Sequence, residues 1–163
     1  MKVLGLDPGT TATGWGVVVF AGGRLTLDSC GVWRPKASLP LGGRLVFLFE
    51  RAVALLGQCR PDAVSIETVF SGKHAASAVK LAHARGALLL AAARGGYPTF
   101  EYEPRLVKKA LVGYGQAEKT QVRAMVLSLL ARQRARVPLD AADALALAVC
   151  HIHAAPAGVT GRQ

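Results

Sequence analysis

The chain opens on Val3, Leu4 and Leu6, a short apolar run that stops at Asp7 and the turn pair Pro8-Gly9. An apolar run of this length closed by turn residues suits a strand in a sheet core better than the start of a helix. Such a strand delivers a carboxylate to its own end, and an ionised carboxylate taken out of water costs several kcal/mol unless a cation or a set of donors offsets it. Asp7 is therefore either a turn residue bonded to its own backbone or one member of a metal or phosphate site. The rest of the chain has to supply what Asp7 works with.

Beyond the turn, Gly14 to Phe20 is rich in β-branched and aromatic residues, and Gly22-Gly23 separates it from a second such stretch, Arg24 to Val32. Two strands joined by a glycine pair make a hairpin. With the first strand they form an antiparallel meander of three, so the sheet does not begin with a strand-helix-strand crossover. Pro40 then opens a helix in which Leu45, Leu48, Phe49, Ala52, Val53 and Leu56 recur at helical period on one apolar face, ending near Gly57. Ala63 to Ile66 reads as a short strand that hands over to Glu67 much as the first hands over to Asp7. If these two strands run side by side in parallel, both acids emerge at one edge of the sheet, where sites in α/β folds collect.

Residues 74 to 94 form a long alanine-rich helix with Ala75, Val79, Ala82, Gly86, Leu89, Leu90 and Ala93 on one stripe. Small residues such as Ala82 and Gly86 let another backbone approach, and the sheet is the expected neighbour, ahead of a second subunit. Tyr97 to Tyr102 is a fifth strand, and Pro104 starts a short helix bearing Arg105, Lys108 and Lys109, which Gly113-Tyr-Gly115 breaks. Val122, Met125, Val126, Leu129 and Leu130 mark the apolar face of the next helix, which runs out into Arg132, Arg134 and Arg136 before Pro138. The last helix starts at Leu139, and there Asp140 and Asp143 stand three apart on one face. A single acid in a first turn is an ordinary partner of the helix dipole. A second like charge beside it is mildly repulsive and needs another reason, such as a divalent cation.

At 163 residues, 52% hydrophobic and a mean hydropathy of +0.32, the chain has apolar material for one well-packed domain, residues 1–154, followed by a loose tail, residues 155–163. No apolar run approaches the ~20 residues of a membrane span and the opening does not read as a signal peptide, so the expected location is the cytoplasm, with no membrane partner. Cys30, Cys59 and Cys150 form no Cys-x-x-Cys pair and read as small buried hydrophobes. The net charge of +10 is uneven: residues 71 to 136 carry twelve Lys/Arg against three Asp/Glu, residues 1 to 70 seven against five, and residues 137 to 163 one against two. A basic middle fits a phosphate-binding surface better than a general solubility charge.

Asp7, Glu67, Asp140 and Asp143 are four carboxylates set by two strand ends and one helix, with no cysteine or histidine in matching positions. Hard oxygen ligands select Mg²⁺, with Mn²⁺ as a substitute. Two such ions about 4 Å apart would activate a water and stabilise the leaving oxygen in displacement at a phosphodiester. An acidic metal site beside a basic surface suits a nucleic-acid backbone.

In these motifs the chain resembles the RuvC family of Holliday-junction resolvases, the crossover junction endodeoxyribonucleases, within the ribonuclease-H-like superfamily. The residues that carry the resemblance are Gly5-Leu-Asp-Pro-Gly-Thr10 with Gly14-Trp-Gly16, Ile66-Glu67 with Val69-Phe70, Pro104-Arg105 with Val107-Lys108, Ala117-Glu-Lys119, and Asp140-Ala-Ala-Asp-Ala144. Each alone is weak, but all of them in order, from residue 1 to about 154, make a specific signature. The resemblance implies an α/β fold with a mixed five-stranded sheet, three antiparallel strands first, flanked by helices. It also implies a homodimer and metal-dependent paired nicks across four-way junction DNA in recombination and repair, in concert with the RuvA and RuvB branch-migration proteins.

In that reading Asp7, Glu67, Asp140 and Asp143 hold the metals, Lys119 stabilises charge near the scissile phosphate, and Lys108 contacts the strand. Phe70 wedges or stacks at an unpaired base near the crossover, and Lys73, Lys80, Arg105 and Lys109 touch phosphates. His74 stands where family members often carry a small polar amide, which leaves the metal ligands untouched. His151 and His153 lie two apart, ~200° around a helix, and read as surface or packing residues.

Three rivals share parts of the pattern. Gly5 to Thr11 also resembles the first phosphate loop of actin-like sugar kinases and chaperone ATPases, but those need a second, similar loop in a second half, and the chain has neither the repeat nor the length. A ribonuclease-H-like nuclease acting on RNA or an RNA–DNA hybrid would share the carboxylates, and the ordered set of Lys108, Lys119 and Phe70 speaks against it. A junction-binding module without catalysis is expected to have lost a metal carboxylate, and all four are present.

Overall fold

The computed structural model describes residues 1–68, 75–132 and 136–155, the side chains of residues 75–77 excepted. Strands β1 (Lys2–Asp7), β2 (Thr13–Ala21) and β3 (Arg24–Trp33) form the antiparallel meander, with Gly22 and Gly23 in the left-handed region, at φ 56° and 73°, making the tight turn. On the other side of β1 lies β4 (Ala63–Glu67), parallel to it, and β5 (Thr99–Tyr102) runs parallel to β4. The sheet order is β3-β2-β1-β4-β5. Leu6 pairs with Ile66, so Asp7 and Glu67 follow at the ends of adjacent parallel strands.

Successive side chains of a strand face opposite sides, and the two faces of this sheet are covered by different helices. Leu4, Leu6, Val64 and Ile66 pack under α1 (Leu41–Cys59) and α2 (Ala75–Arg94), against Leu48, Ala52, Leu56, Ala84 and Leu88. Val3, Val18 and Ala63 pack under α3 (Pro104–Val112), α4 (Lys119–Leu129) and α5 (Leu139–Ala154). Within α5 every residue from Ala141 to Ile152 is buried except Asp143. A helix that apolar on all sides is a core helix, and its neighbours are β1, β2 and α4.

Close approach of α5 to the sheet depends on glycine. A Cβ on Gly5 would collide with the carbonyl oxygen of Ala144, and one on Gly14 with the carbonyl oxygen of Asp140. Bare backbone at these two positions lets the helix that bears Asp140 and Asp143 lie across the strand that bears Asp7.

Several helical faces differ from the periodic reading. In α1, Leu48, Ala52 and Leu56 are buried but Val53 is exposed, and the helix continues past Gly57 to Cys59 before Arg60 closes it with φ 43°. In α2 the sheet takes Ala84, Leu88, Ala91 and Ala92, while Val79 is 55% and Leu90 60% exposed and Ala82, Gly86 and Ala93 also face solvent. An alanine-rich helix is apolar on most of its circumference, so periodicity does not choose its buried side, and the two leucine-based stripes compete. In α4, Val122, Val126 and Leu127 are buried and Met125 and Leu129 are exposed. Cys150 is buried and Cys30 and Cys59 are half-buried, all three as free thiols that burial pushes up. His151 is the packing residue, buried with Nδ1 2.7 Å from the Tyr102 hydroxyl, and His153 is exposed. Among the described residues no helix is long and apolar enough to cross a membrane.

Candidate active site

At the ends of the adjacent parallel strands β1 and β4, Asp7 and Glu67 stand side by side, close enough for each to shift the other's proton affinity. Burial pushes the Asp7 carboxyl up from the ordinary 3.8 to about 8, the charge and hydrogen bond of Glu67 and the charge of Asp143 act in the same direction, and Lys119 opposes them. Glu67 is also raised by burial; its hydrogen bond with Asp7 opposes the rise, Asp143 adds to it, and Lys119 and Lys108 lower it. Two carboxyls in contact cannot both ionise cheaply, so at neutral pH the pair retains a proton.

Lys119 enters from the first turn of α4. Glu118 occupies the N-cap position, its backbone N–H donates to Gln121 Oε1 at 3.0 Å, and the Tyr114 hydroxyl donates to the same oxygen at 2.8 Å. That start fixes where Lys119 leaves the helix. Its Nζ donates to Asp143 Oδ2 at 2.5 Å. Burial lowers the Lys119 pKa, but the hydrogen bond and charge of Asp143, with the charges of Asp7 and Asp140, raise it by more. An ammonium held among acids is thereby kept charged.

Asp140 stands one turn earlier on α5 and has its own partner, Arg34, whose Nη2 is 3.5 Å from Asp140 Oδ2. Arg34 directly follows β3, which runs antiparallel to β2 and hence in the direction of β1, so its end opens at the same edge of the sheet. Sequence reasoning did not single out Arg34, because a lone arginine after a strand carries no local signal. Only the return of the meander to the Asp7 edge could have found it.

A cleft of about 160 Å³ adjoins the acids. Glu67, Asp143, Lys108 and Lys119 form its polar side and Val107, Val122 and Leu147 its apolar floor. Five of the residues singled out from the sequence, Asp7, Glu67, Asp143, Lys119 and Lys108, are therefore neighbours. Arg105 and Lys109 are exposed on α3, and Lys80 is exposed on α2. None of the three forms an ion pair with a described residue. Phe70, Lys73 and His74 lie outside the described residues.

Among the described residues no three carboxylate, imidazole or thiol groups are drawn together into a ready set of metal ligands. The donor chemistry still fits a hard divalent cation. The oxygens are carboxylate oxygens, they come from rigid elements, and Asp7, raised first by burial, is raised further by the charges of Glu67 and Asp143, with Lys119 opposing.

A mixed sheet of this order, with acids at the ends of two central parallel strands and on the helix crossing them, defines a nuclease of ribonuclease-H-like architecture. The profile described as "Crossover junction endodeoxyribonuclease RuvC" matches residues 3–151. The crossover junction endodeoxyribonuclease RuvC of Maricaulis maris is 49% identical over 94% of this chain and 91% of its own. The Thermus thermophilus RuvC structure superposes with a TM-score of 0.85 at 37% identity, covering 93% of each chain, and T. thermophilus RuvC in complex with Holliday junction substrate does so with 0.86 at the same identity and coverage. The chain belongs to the RuvC family of crossover junction endodeoxyribonucleases, the Holliday-junction resolvases of DNA recombination and repair, whose cleavage depends on metal.

Proposed function

We propose that the chain resolves four-way DNA junctions as a homodimer, one symmetric nick from each protomer, with Asp7, Glu67, Asp140 and Asp143 as ligands of Mg²⁺ and with Mn²⁺ able to substitute. The observation that carries this reading is the crowding of Asp7, Glu67 and Asp143 around Lys119, with Asp7 pushed up to about 8. Carboxyls so placed repel one another when ionised, and a divalent cation relieves that repulsion while displacing their shared proton. When bound, Mg²⁺ would lower the pKa of the attacking water and offset charge at the scissile phosphate.

The chain's own residues do the rest. Asp7 and Glu67 give up their proton and hold fixed oxygens at the strand ends. Lys119 exchanges its hydrogen bond with Asp143 for a phosphate oxygen, offsetting the charge that builds there as the nucleophile adds. Lys108 contacts the same strand from the cleft wall, and the apolar floor of Val107 and Leu147 suits the sugar face. Lys73, Lys80, Arg105 and Lys109 are read as phosphate contacts that together make binding strongly salt-dependent, and Phe70 as the side chain that stacks at the crossover.

The exposed row of Val79, Ala82, Gly86, Leu90 and Ala93 on α2 supports a dimer through that helix, since a contiguous apolar stripe facing water marks an association surface. A two-fold dimer presents two identical sites, one for each of two strands of a four-way junction. Residues 1–154 are read as the single nuclease domain and residues 155–163 as a flexible tail. A substrate produced by branch migration fits work beside RuvA and RuvB in the cytoplasm, where the DNA is.

The test is incubation of the purified protein with a synthetic four-way junction, a matched linear duplex and an RNA–DNA hybrid, in Mg²⁺, Mn²⁺ or chelator. Symmetric nicks in the junction alone, abolished by chelator, are expected. Preferred cutting of the hybrid would replace this reading with that of a ribonuclease-H-like nuclease acting on RNA.

A further inference from the structure

Arg85 sits in α2 with its side chain only 19% exposed, and its guanidinium makes two contacts at once. Nε donates to the backbone carbonyl oxygen of Glu67 at 3.2 Å, and Nη2 lies 2.5 Å from Glu101 Oε2. Glu101 is on β5, opposite Ile66 of β4. The guanidinium thus joins the helix, the neighbouring strand and the last residue of the strand that carries Glu67.

We propose that Arg85 is a positioning residue for junction cleavage, setting where the Glu67 carboxyl stands against Asp7 by holding the Glu67 backbone. The inference rests on the reading of Glu67 as a metal ligand. Glu67 is the terminal residue of β4, still paired with Tyr102 of β5 but past the last β1 pair, Leu6 with Ile66, so an added hold on its carbonyl restrains the rotation that would swing the side chain. A hydrogen bond from a cation to a carbonyl is stronger than a neutral one, and the planar fork of arginine makes this bond and the Glu101 contact without changing shape. Glu101 supplies the negative partner that a largely buried cation needs. Displacing a reacting group by about 1 Å can cost about a hundredfold in rate, so a backbone tether of this kind acts on chemistry without touching substrate. Arg85 also lies between Ala84, which packs on the sheet, and Gly86, which belongs to the solvent-facing stripe of α2, so one side chain ties that helix to the catalytic edge.

The test compares Arg85→Gln, Arg85→Lys, Glu101→Gln and Glu67→Gln in the full-length protein. The readouts are single-turnover junction cutting at saturating protein, junction affinity in chelator, Mn²⁺ binding to the DNA-free protein by calorimetry, and thermal unfolding. Loss of a residue that orients a metal ligand costs about 10- to 100-fold in affinity or activity, and Arg85→Gln should lower both the cutting rate and Mn²⁺ affinity by that order without a matching loss of junction affinity. Arg85→Lys, which keeps one charged donor, should recover part of both, and Glu101→Gln, which leaves the carbonyl bond in place, should lose less than Arg85→Gln. Arg85→Gln with a lowered melting temperature but unchanged rate and Mn²⁺ affinity would overturn the proposal, as would equal losses of rate and junction affinity, which would mark a phosphate contact. If Glu67→Gln cuts normally, the underlying reading of Glu67 fails; if Glu67→Gln is inactive and Arg85→Gln cuts like the wild type, only the positioning role of Arg85 fails.

Discussion

Replacing Asp7 by Asn should abolish cutting and, in chelator at high pH, make the protein more stable. The second effect follows from the raised proton affinity of Asp7, whose carboxyl goes from 3.8 to about 8 on folding, chiefly by burial and by the neighbouring Glu67. The folded state then holds this proton more tightly than the unfolded chain, so the stability it contributes is full below pH 4 and is lost as the pH rises to about 8. At about 1.4 kcal/mol per tenfold change in proton affinity, the ceiling on that loss is on the order of 6 kcal/mol. Asn has no proton to lose and avoids it. Glu67 titrates in both proteins, so the difference between them is the quantity to read. The assay is urea unfolding in chelator between pH 4 and 9, followed by the fluorescence of Trp15 and Trp33, which stack with ring centroids 5.9 Å apart. The Asn variant should gain on the wild type by several kcal/mol towards pH 9 and converge with it near pH 4. Added Mg²⁺ should restore the wild type at pH 8 and leave the variant nearly unmoved, because only the wild type gains a ligand by binding it. Parallel curves across this range, or junction cutting retained by Asp7→Asn, would refute the reasoning.

Further outcomes are expected. Lys119→Ala should reduce the single-turnover rate by a larger factor than it reduces junction affinity, since Lys119 is assigned to charge that develops during the reaction; equal reductions would make it an ordinary phosphate contact. Gly5→Ala places a Cβ against the carbonyl oxygen of Ala144. It should cost ~1–3 kcal/mol or more in denaturant unfolding and slow cutting by pushing α5 off the sheet, and a variant as stable and active as the wild type would show that α5 yields without consequence. Leu90→Asp puts a charge into the exposed stripe of α2. Light scattering should then find monomers, with paired junction nicks reduced to single ones; an intact dimer would locate the association elsewhere.

Much of the fold can be read from local pattern. β1 is an apolar run closed by a turn, β2 and β3 are joined by two glycines with positive φ, and α5 begins after Pro138. Each of these depends on residues within a few positions of one another. The acids are visible for the same reason, as residues placed at the ends of recognisable elements, whereas Lys119 was reached only through the family resemblance. Which face of α2 meets the sheet is not visible, because alanine is apolar on every side and the choice falls to Ala84 and Leu88 fitting against Leu4, Leu6 and Ile66. Val53, Met125 and Leu129 fail in the same way, at the margins of stripes whose centres are buried.

Which cation attends which acid was beyond reach of the sequence. Arg34 meets Asp140, Lys119 meets Asp143, and Arg85 meets Glu101 and the Glu67 carbonyl, each pair joining separate elements. By itself the sequence determined the order of strands and helices and the acids at their ends, since turns, caps and periodicity act over a few residues. Tertiary structure alone decided that burial and the neighbouring Glu67 raise the Asp7 carboxyl, that α5 can lie close enough to bring Asp143 beside them, and which cation holds which acid. Proton affinity and ion pairing depend on burial and on distances of a few ångströms, and folding sets both between residues far apart in the chain.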